Sequence, residues 1–166
     1  MLDVSRHFFS KEFVENYIDQ MSKYKYNIFH WHLTDDNGWR IEIKGLPKVT
    51  EIGAWRVPRT GDWRSFDMAQ PGEKATYGGY YTQEDIKEIV KYAQERFVTI
   101  VPEVDVPAHS LALIASYPNL SCTQLQYAVG VGRIKKTVDD VLCVANDSTW
   151  LLLDKIFAQI AALFPG

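Results

Sequence analysis

Two histidines stand at alternate positions in an apolar, β-prone run. His30 and His32 lie within Asn27-Ile28-Phe29-His30-Trp31-His32-Leu33-Thr34, and the run ends in Asp35-Asp36 followed by Asn37-Gly38. Side-chain alternation along a strand puts Ile28, His30 and His32 on one face and Phe29, Trp31 and Leu33 on the other. A strand that buries both faces yet keeps titratable groups on one of them does more than pack. Two acids just past its end, where the backbone leaves the sheet, are placed for chemistry. A second cluster follows another apolar run, in Glu103-Val104-Asp105-Val106-Pro107-Ala108-His109, and Arg6 closes the opening segment. One reading of His30-Trp31-His32 is a metal pair, since both imidazoles share a face. Zinc or iron would need more ligands, and only His109 and nearby carboxylates are on hand. That makes a metal-dependent hydrolase a rival reading.

The elements that must position these groups follow from periodicity. Residues 1–5 read as a short strand ending at Arg6. A helix is expected from Lys11 to Tyr24, with Ser10 as N-cap and Phe13, Tyr17, Ile18 and Met21 as its apolar stripe. A second strand covers 27–33. Residues 36–81 form a long irregular region with a short strand at Trp39–Ile43, and loops of that length in a domain are usually functional or mobile. Its tryptophans, Trp39, Trp55 and Trp63, could offer flat faces to a ligand or simply pack the loop, and no role is assigned to them. Thr82-Gln83-Glu84-Asp85 is a near capping box, with Asp in the place of Glu or Gln, and opens a helix running to about Arg96. Its buried stripe is Ile86, Ile89, Val90 and Ala93.

The third strand, Phe97 to Val104, is almost wholly apolar, as in a parallel sheet covered on both faces. A short helix near 110–116 follows. Asp147 or Ser148 is expected to cap a last helix with Leu151, Leu152, Ile156, Ile160 and Leu163 inside. The order is βαβαβα with polar clusters at the strand ends, which argues for a parallel α/β sheet. Such ends supply the catalytic residues of a (β/α)₈ TIM barrel. No Gly-rich phosphate turn follows any strand, which disfavours a doubly wound nucleotide fold. A full barrel needs roughly 250 residues, and three β/α units are expected from these 166.

Composition narrows the rest. Hydrophobic residues make up 46% and charged residues 23%, the usage of a folded domain rather than a disordered chain. A net charge of −3 gives no electrostatic case for nucleic acid or an anionic membrane as partner. No apolar run is long enough to span a membrane, and the first residues do not read as a signal peptide. The two cysteines, Cys122 and Cys143, lack the four-ligand grouping of structural zinc. Whether they pair is left open by sequence.

Three motifs together carry a resemblance. Asp3-Val4-Ser5-Arg6-His7-Phe8-Phe9, then His30-Trp31-His32-Leu33-Thr34-Asp35-Asp36-Asn37-Gly38-Trp39-Arg40-Ile41-Glu42-Ile43, then Pro102-Glu103-Val104-Asp105-Val106-Pro107-Ala108-His109 resemble the family 20 glycoside hydrolases, the β-N-acetylhexosaminidases. Residues 46–56 and 78–82 add further matches, so the resemblance runs over the whole chain, residues 1–166. It departs in two places. Ala108 stands where the family has Gly, and the family's Asp-Glu pair on the fourth strand has no counterpart here.

The resemblance implies a retaining, substrate-assisted hydrolysis of terminal β-linked N-acetylglucosamine or N-acetylgalactosamine, without a cofactor. It implies that Arg6 grips hydroxyls of the terminal sugar. It implies that Asp35 and His109 form a catalytic pair, the aspartate accepting from one imidazole nitrogen while the other faces the general acid. Asp36 and Asp105 read as supports of loop geometry through backbone N–H groups. A periplasmic, secreted or lysosomal compartment is implied, though the sequence itself leaves compartment open. Lacking the acidic pair, the 166 residues alone are expected to be inactive, and a non-catalytic sugar-binding module is the rival reading of another class. Three parallel strands cannot close a barrel, so an open sheet face and self-association of the isolated chain are expected.

Overall fold

The computed structural model describes residues 1–133 and 138–165. In chain order the elements are β1 (Leu2–Asp3), α1 (Lys11–Lys23), β2 (Ile28–Asp35), β3 (Gly38–Trp39), α2 (Lys48–Glu51), β4 (Trp55–Arg56), β5 (Tyr77–Gly78), α3 (Gln83–Gln94), β6 (Thr99–Val104), α4 (Leu111–Ser116) and α5 (Asp147–Leu163). Strand β2 is the centre of the sheet. Both β1 and β6 pair with it in parallel, with Leu2 opposite Trp31 and Ile28 opposite Thr99. The short β3 turns back antiparallel against Thr34 and Asp35. The parallel β/α pattern expected from sequence is therefore present, with a small hairpin, β4–β5, folded out of the long connection.

Alternation along β2 sorts its side chains as periodicity predicts. Phe29, Trp31 and Leu33 are fully buried and join one core with Val14 and Ile18 of α1, Ile86 and Ile89 of α3, and Ile156 and Ile160 of α5. The opposite face is open, with Ile28 61% and Val101 46% exposed. That open face is the one expected where three parallel strands do not close a barrel, whereas the strand bounds differ from the expected Phe97–Val104. The strand starts at Thr99, and Phe97 is 89% exposed. Among the described residues helices cover one face of the sheet, and β6 pairs with β2 alone, so Pro102, which has no N–H to give a ladder, is tolerated there.

Helix starts were legible in part. Ser10 caps α1 through an N–H bond from Phe13. Its deepest residues are Val14 and Ile18, whereas Phe13 is 43% exposed and stacks on Phe9. Thr82 and Asp85 form a true capping box, Asp85 Oδ2 accepting from the Thr82 N–H at 2.9 Å and Thr82 Oγ1 from the Asp85 N–H at 3.1 Å. The cap of α5 is Asn146, whose side chain accepts from the Ser148 N–H. Asp147, expected as that cap, instead sits in the first turn, where its charge favours the positive end of the helix dipole. Leu151, expected inside, is 72% exposed. Cys122 and Cys143 form a disulfide, which settles the pairing that sequence left open.

Because both donors of the capping box are otherwise orphaned, Thr82→Ala is expected to cost about 1 kcal/mol. A urea unfolding midpoint at constant slope measures it, and an unmoved midpoint would mean that packing alone starts α3.

Candidate active site

The C-terminal ends of β1, β2 and β6 open on one cleft of about 430 Å³, lined among others by Arg6, Asp35, Asp36, Asn37, Trp63 and His109. Each strand end contributes for a local reason. Asp3 at the end of β1 accepts from the N–H groups of Ser5 and Arg6 at 3.0 Å each. That turn swings the Arg6 side chain back so that Nη1 donates to Asp3 Oδ2 at 2.8 Å. Asp35 ends β2, and Asp36 already lies in the turn to β3. His109 lies in the turn between β6 and α4 at a φ of 52°, a conformation uncommon outside glycine.

Asp35 is the hub. Its Oδ2 is in close contact with Arg6 Nη2 and lies 3.0 Å from His32 Nε2. Its Oδ1 accepts the Asp36 N–H at 2.6 Å and lies 3.4 Å from His109 Nδ1. Burial alone would raise the Asp35 pKa, but His32 and Arg6 outweigh it and hold the carboxyl below its usual value. Asp36 goes the other way. Burial, with repulsion from Asp35 and Asp140, pushes it up to about 6 against bonds from the Leu111 N–H and His109. Two adjacent carboxyls are thus separated in acidity by their surroundings.

The structure brings Arg6, Asp35, Asp36 and His109 together. The hydrogen-bond partner of His109 Nδ1 is Asp36 Oδ2, at 3.0 Å, with Asp35 farther away. The expected support of loop geometry by Asp36 is also seen, as its Oδ1 accepts the Leu111 N–H at 3.1 Å and anchors the start of α4. Desolvation lowers the His109 pKa, but Asp36 and Asp35 overcome it and raise it. Asp105 is not among the residues that line the cleft. Its N–H donates to Thr34 Oγ1 at 3.0 Å, so the support it gives comes from its backbone, and its charge acts on His109.

The histidine pair read as a possible metal site has another partner. His30 Nε2 and His32 Nδ1 both meet Glu103 Oε2, at 2.6 and 2.7 Å. Among the described residues, the donor atoms that converge as metal ligands would are those of Asp35, Asp36 and His109. Asp35, however, is already held by the Arg6 guanidinium and the His32 ring, and the guanidinium charge would repel a metal ion. The arrangement suits binding of a polar, hydroxyl-rich ligand and proton handling at His109.

Sequence reading assigned no role to three residues that the structure makes important. Glu103 is the one acid inside an apolar strand, which was a readable signal. Trp63 reaches the cleft from the irregular segment, for which periodicity offers no signal. Trp39 and Trp55, by contrast, spend their indole N–H groups on backbone carbonyls of the loop itself. Arg40, in the same motif as the acids, is fully buried beneath the cleft.

A profile of glycosyl hydrolase family 20, catalytic domain, matches residues 1–166. The chain is 40% identical over its whole length to a beta-hexosaminidase of Porphyromonas gingivalis strain W83, of which it covers 19%, and 45% identical to one of Vibrio furnissii, of which it covers 26%. The chain thus spans about a fifth to a quarter of the length of these relatives. Among solved structures it superposes over its whole length on the GH20 beta-N-acetylhexosaminidase of Streptomyces coelicolor A3(2), with a TM-score of 0.83, 39% identity and 30% of that chain covered. A mutant Streptomyces plicatus beta-hexosaminidase in complex with the product GlcNAc matches with a TM-score of 0.83 at 40% identity, again with 30% of that chain covered.

Proposed function

Since the chain belongs to glycosyl hydrolase family 20, whose solved members are TIM-barrel hexosaminidases, we propose that the protein removes terminal β-linked N-acetylhexosamine residues from glycans with retention of configuration. In that reaction the 2-acetamido oxygen of the substrate attacks the anomeric carbon, so family 20 departs from the rule of two protein carboxylates. The observation that carries the reading is the Arg6–Asp35–His109 cluster in one cleft at the strand ends.

Arg6 offers a planar fork of donors that stays charged at any working pH, suited to neighbouring sugar hydroxyls. Asp35 keeps that fork oriented. Asp36 and Asp35 hold His109 by Nδ1, so Nε2 is the nitrogen that can address a carboxylic acid at the scissile bond. The proton for the leaving oxygen is assigned to the family's Asp-Glu pair, which no segment of this chain matches. The 166 residues alone are therefore proposed to bind the sugar without turning it over.

An aryl β-N-acetylglucosaminide tests both statements. The full-length protein should hydrolyse it without added metal, and the 166-residue chain should not. Turnover by the short chain would place the general acid among residues named here, and no turnover by either would leave a sugar-binding module. Arg6→Ala in the full-length protein is expected to lower kcat/KM by the equivalent of about 1.5–3 kcal/mol for each charged hydrogen bond lost. A kcat/KM equal to wild type would take Arg6 out of the site.

A further inference from the structure

Beneath the cleft, on the open face of the sheet, lie three ionisable side chains that the proposed reaction does not use: His30, His32 and Glu103. Strand register assembles them. In the parallel pairing of β2 with β6, His30 stands opposite Val101 and His32 opposite Glu103. The one carboxylate of β6 is therefore level with His32. Glu103 Oε2 lies 2.7 Å from His32 Nδ1, and Asp35 Oδ2 lies 3.0 Å from Nε2 on the other side of the ring. With His32 only 4% exposed, water has little room to replace either partner.

A neutral imidazole carries one N–H and one lone pair. It can donate to Asp35 or to Glu103 but not to both, and the second contact would then set a nitrogen lone pair against a carboxylate oxygen. Arg6 Nη1 also lies 3.3 Å from Nε2, farther than Asp35 Oδ2 at 3.0 Å, and the two shorter contacts, both to carboxylates, fit a ring that donates on both sides. We propose that His32 is a positioning residue, a two-sided donor that ties Asp35 to Glu103 and so fixes the angle at which Asp35 meets Arg6 and His109. What Asp35 does for the reaction rests on the hexosaminidase reading, whereas the clamp rests on geometry alone.

The clamp has a pH range. The charged and titratable groups facing His32 are Asp3 and Arg6 from β1 and the turn after it, His30 and Asp35 along β2, and Glu103 from β6. Desolvation pushes the imidazole down, but the hydrogen bonds to Asp35 and Glu103, with the charge of Asp3, raise it to about 8. As pH rises through that value the ring loses one N–H and can hold only one of its two carboxylates. Activity that needs Asp35 held in place then falls on the alkaline side with the titration of His32. Arg6 does not lose its proton in this range.

Glu103→Gln in the full-length protein tests the clamp. The amide keeps a carbonyl acceptor for Nδ1–H and removes the charge. The Glu103 side chain is 36% exposed, so the fold is expected to survive. With histidine ¹⁵N labels and a carboxyl ¹³C label, the His32 titration should move about one unit toward acid. The Asp35 carboxyl resonance should follow the same titration. The alkaline limb of kcat/KM on an aryl β-N-acetylglucosaminide should move by the same amount, in kcat more than in KM. His32→Gln, a donor on one side only, should lower kcat by about 10²-fold and remove that limb. A His32 titration that moves while the alkaline limb stays in place would overturn the proposal, as would an Asp35 resonance indifferent to His32. If the wild-type protein shows no turnover, the hexosaminidase reading fails, and the Asp35 resonance alone decides the clamp.

Discussion

Asp35→Ala is expected to destabilise the fold by about 3–5 kcal/mol at neutral pH, the cost of stripping one partner from a buried charge network. Its side chain is 1% exposed, and it meets Arg6, His32, His109 and the Asp36 N–H at once. Removing the carboxylate leaves the His32 ring and the Arg6 fork facing each other with no anion between them. Against a net stability of roughly 5–15 kcal/mol, a loss of that size is a large fraction of the whole. Asp35→Asn, which keeps volume and one acceptor, should lose less, and the difference between the variants separates charge from shape. The sign of the pH dependence follows from the lowered Asp35 pKa. Such a group stabilises the fold above its unfolded value near 3.8 and stops doing so as pH falls through the lower folded value. The gap between wild type and Asp35→Ala should therefore be full at pH 6 and narrow toward pH 3. Urea unfolding at those two pH values measures it, and equal midpoints for wild type and variant at pH 6 would refute the hub.

Much of this site could be read before any coordinates, because strand alternation and strand ends are local properties. Period two placed His32 opposite Phe29, Trp31 and Leu33, and the turn after β2 marked Asp35 and Asp36 as the acids at the mouth. Which of the two would hold His109 was not local. The polypeptide reverses between β2 and β3, and that bend decides which carboxyl faces α4. The apolar run 97–104 begins as a strand only at Thr99, with Phe97 outside it and 89% exposed, because composition alone does not mark where strand pairing starts. Asn146 was missed as a cap because it lies one residue before the two candidates that periodicity offered. Glu103 was legible in principle, since a lone acid in register with a histidine on the next strand invites pairing. Register, however, is a property of the assembled sheet.

Arg40 is the clearest residue whose type was visible and whose task was not, and its replacement carries the largest expected effect of all. It is 0% exposed, yet among the described residues no carboxylate bonds to it. Instead Nε donates to Val4 O at 2.9 Å, Nη1 to Ala54 O at 2.5 Å and Gly79 O at 3.0 Å, and Nη2 to Ser5 O at 2.6 Å and Asn37 O at 3.3 Å. Those carbonyls belong to the segment after β1, the turn between β2 and β3, the approach to β4 and the exit from β5. One guanidinium therefore joins four stretches of irregular backbone, which are also tied by Ser5 Oγ–H to Gly38 O, by Arg56 to Asn37 O and Arg6 O, and by the Gly79 N–H to Ala54 O. Gly38 is needed beside it, since a Cβ there would collide with the guanidinium. Burial and the nearby Arg56 lower the Arg40 pKa to about 10, which still leaves it charged at pH 7. Arg40→Met keeps bulk and removes every donor. Asn37 O keeps Arg56 Nη1 and Ala54 O keeps the Gly79 N–H, but the carbonyls of Val4, Ser5 and Gly79 lose the Arg40 donor, each at about 1–3 kcal/mol. The sum, about 3–9 kcal/mol, spans the roughly 4–5 kcal/mol that marks an exceptional substitution and is a large fraction of the whole stability of a domain. Arg40→Lys keeps the charge but offers three donors from a single point instead of a planar fork, so it should fall between. The expected result is little or no cooperative melt for Arg40→Met, a clearly lowered Tm for Arg40→Lys, and loss of the proposed sugar binding in both. Val4, Ser5 and Asn37 flank Arg6 and Asp36, so the cleft loses its walls before the helices lose their core. A near-wild-type melt for Arg40→Met would mean that the strand ends hold themselves in place and that the buried charge is incidental.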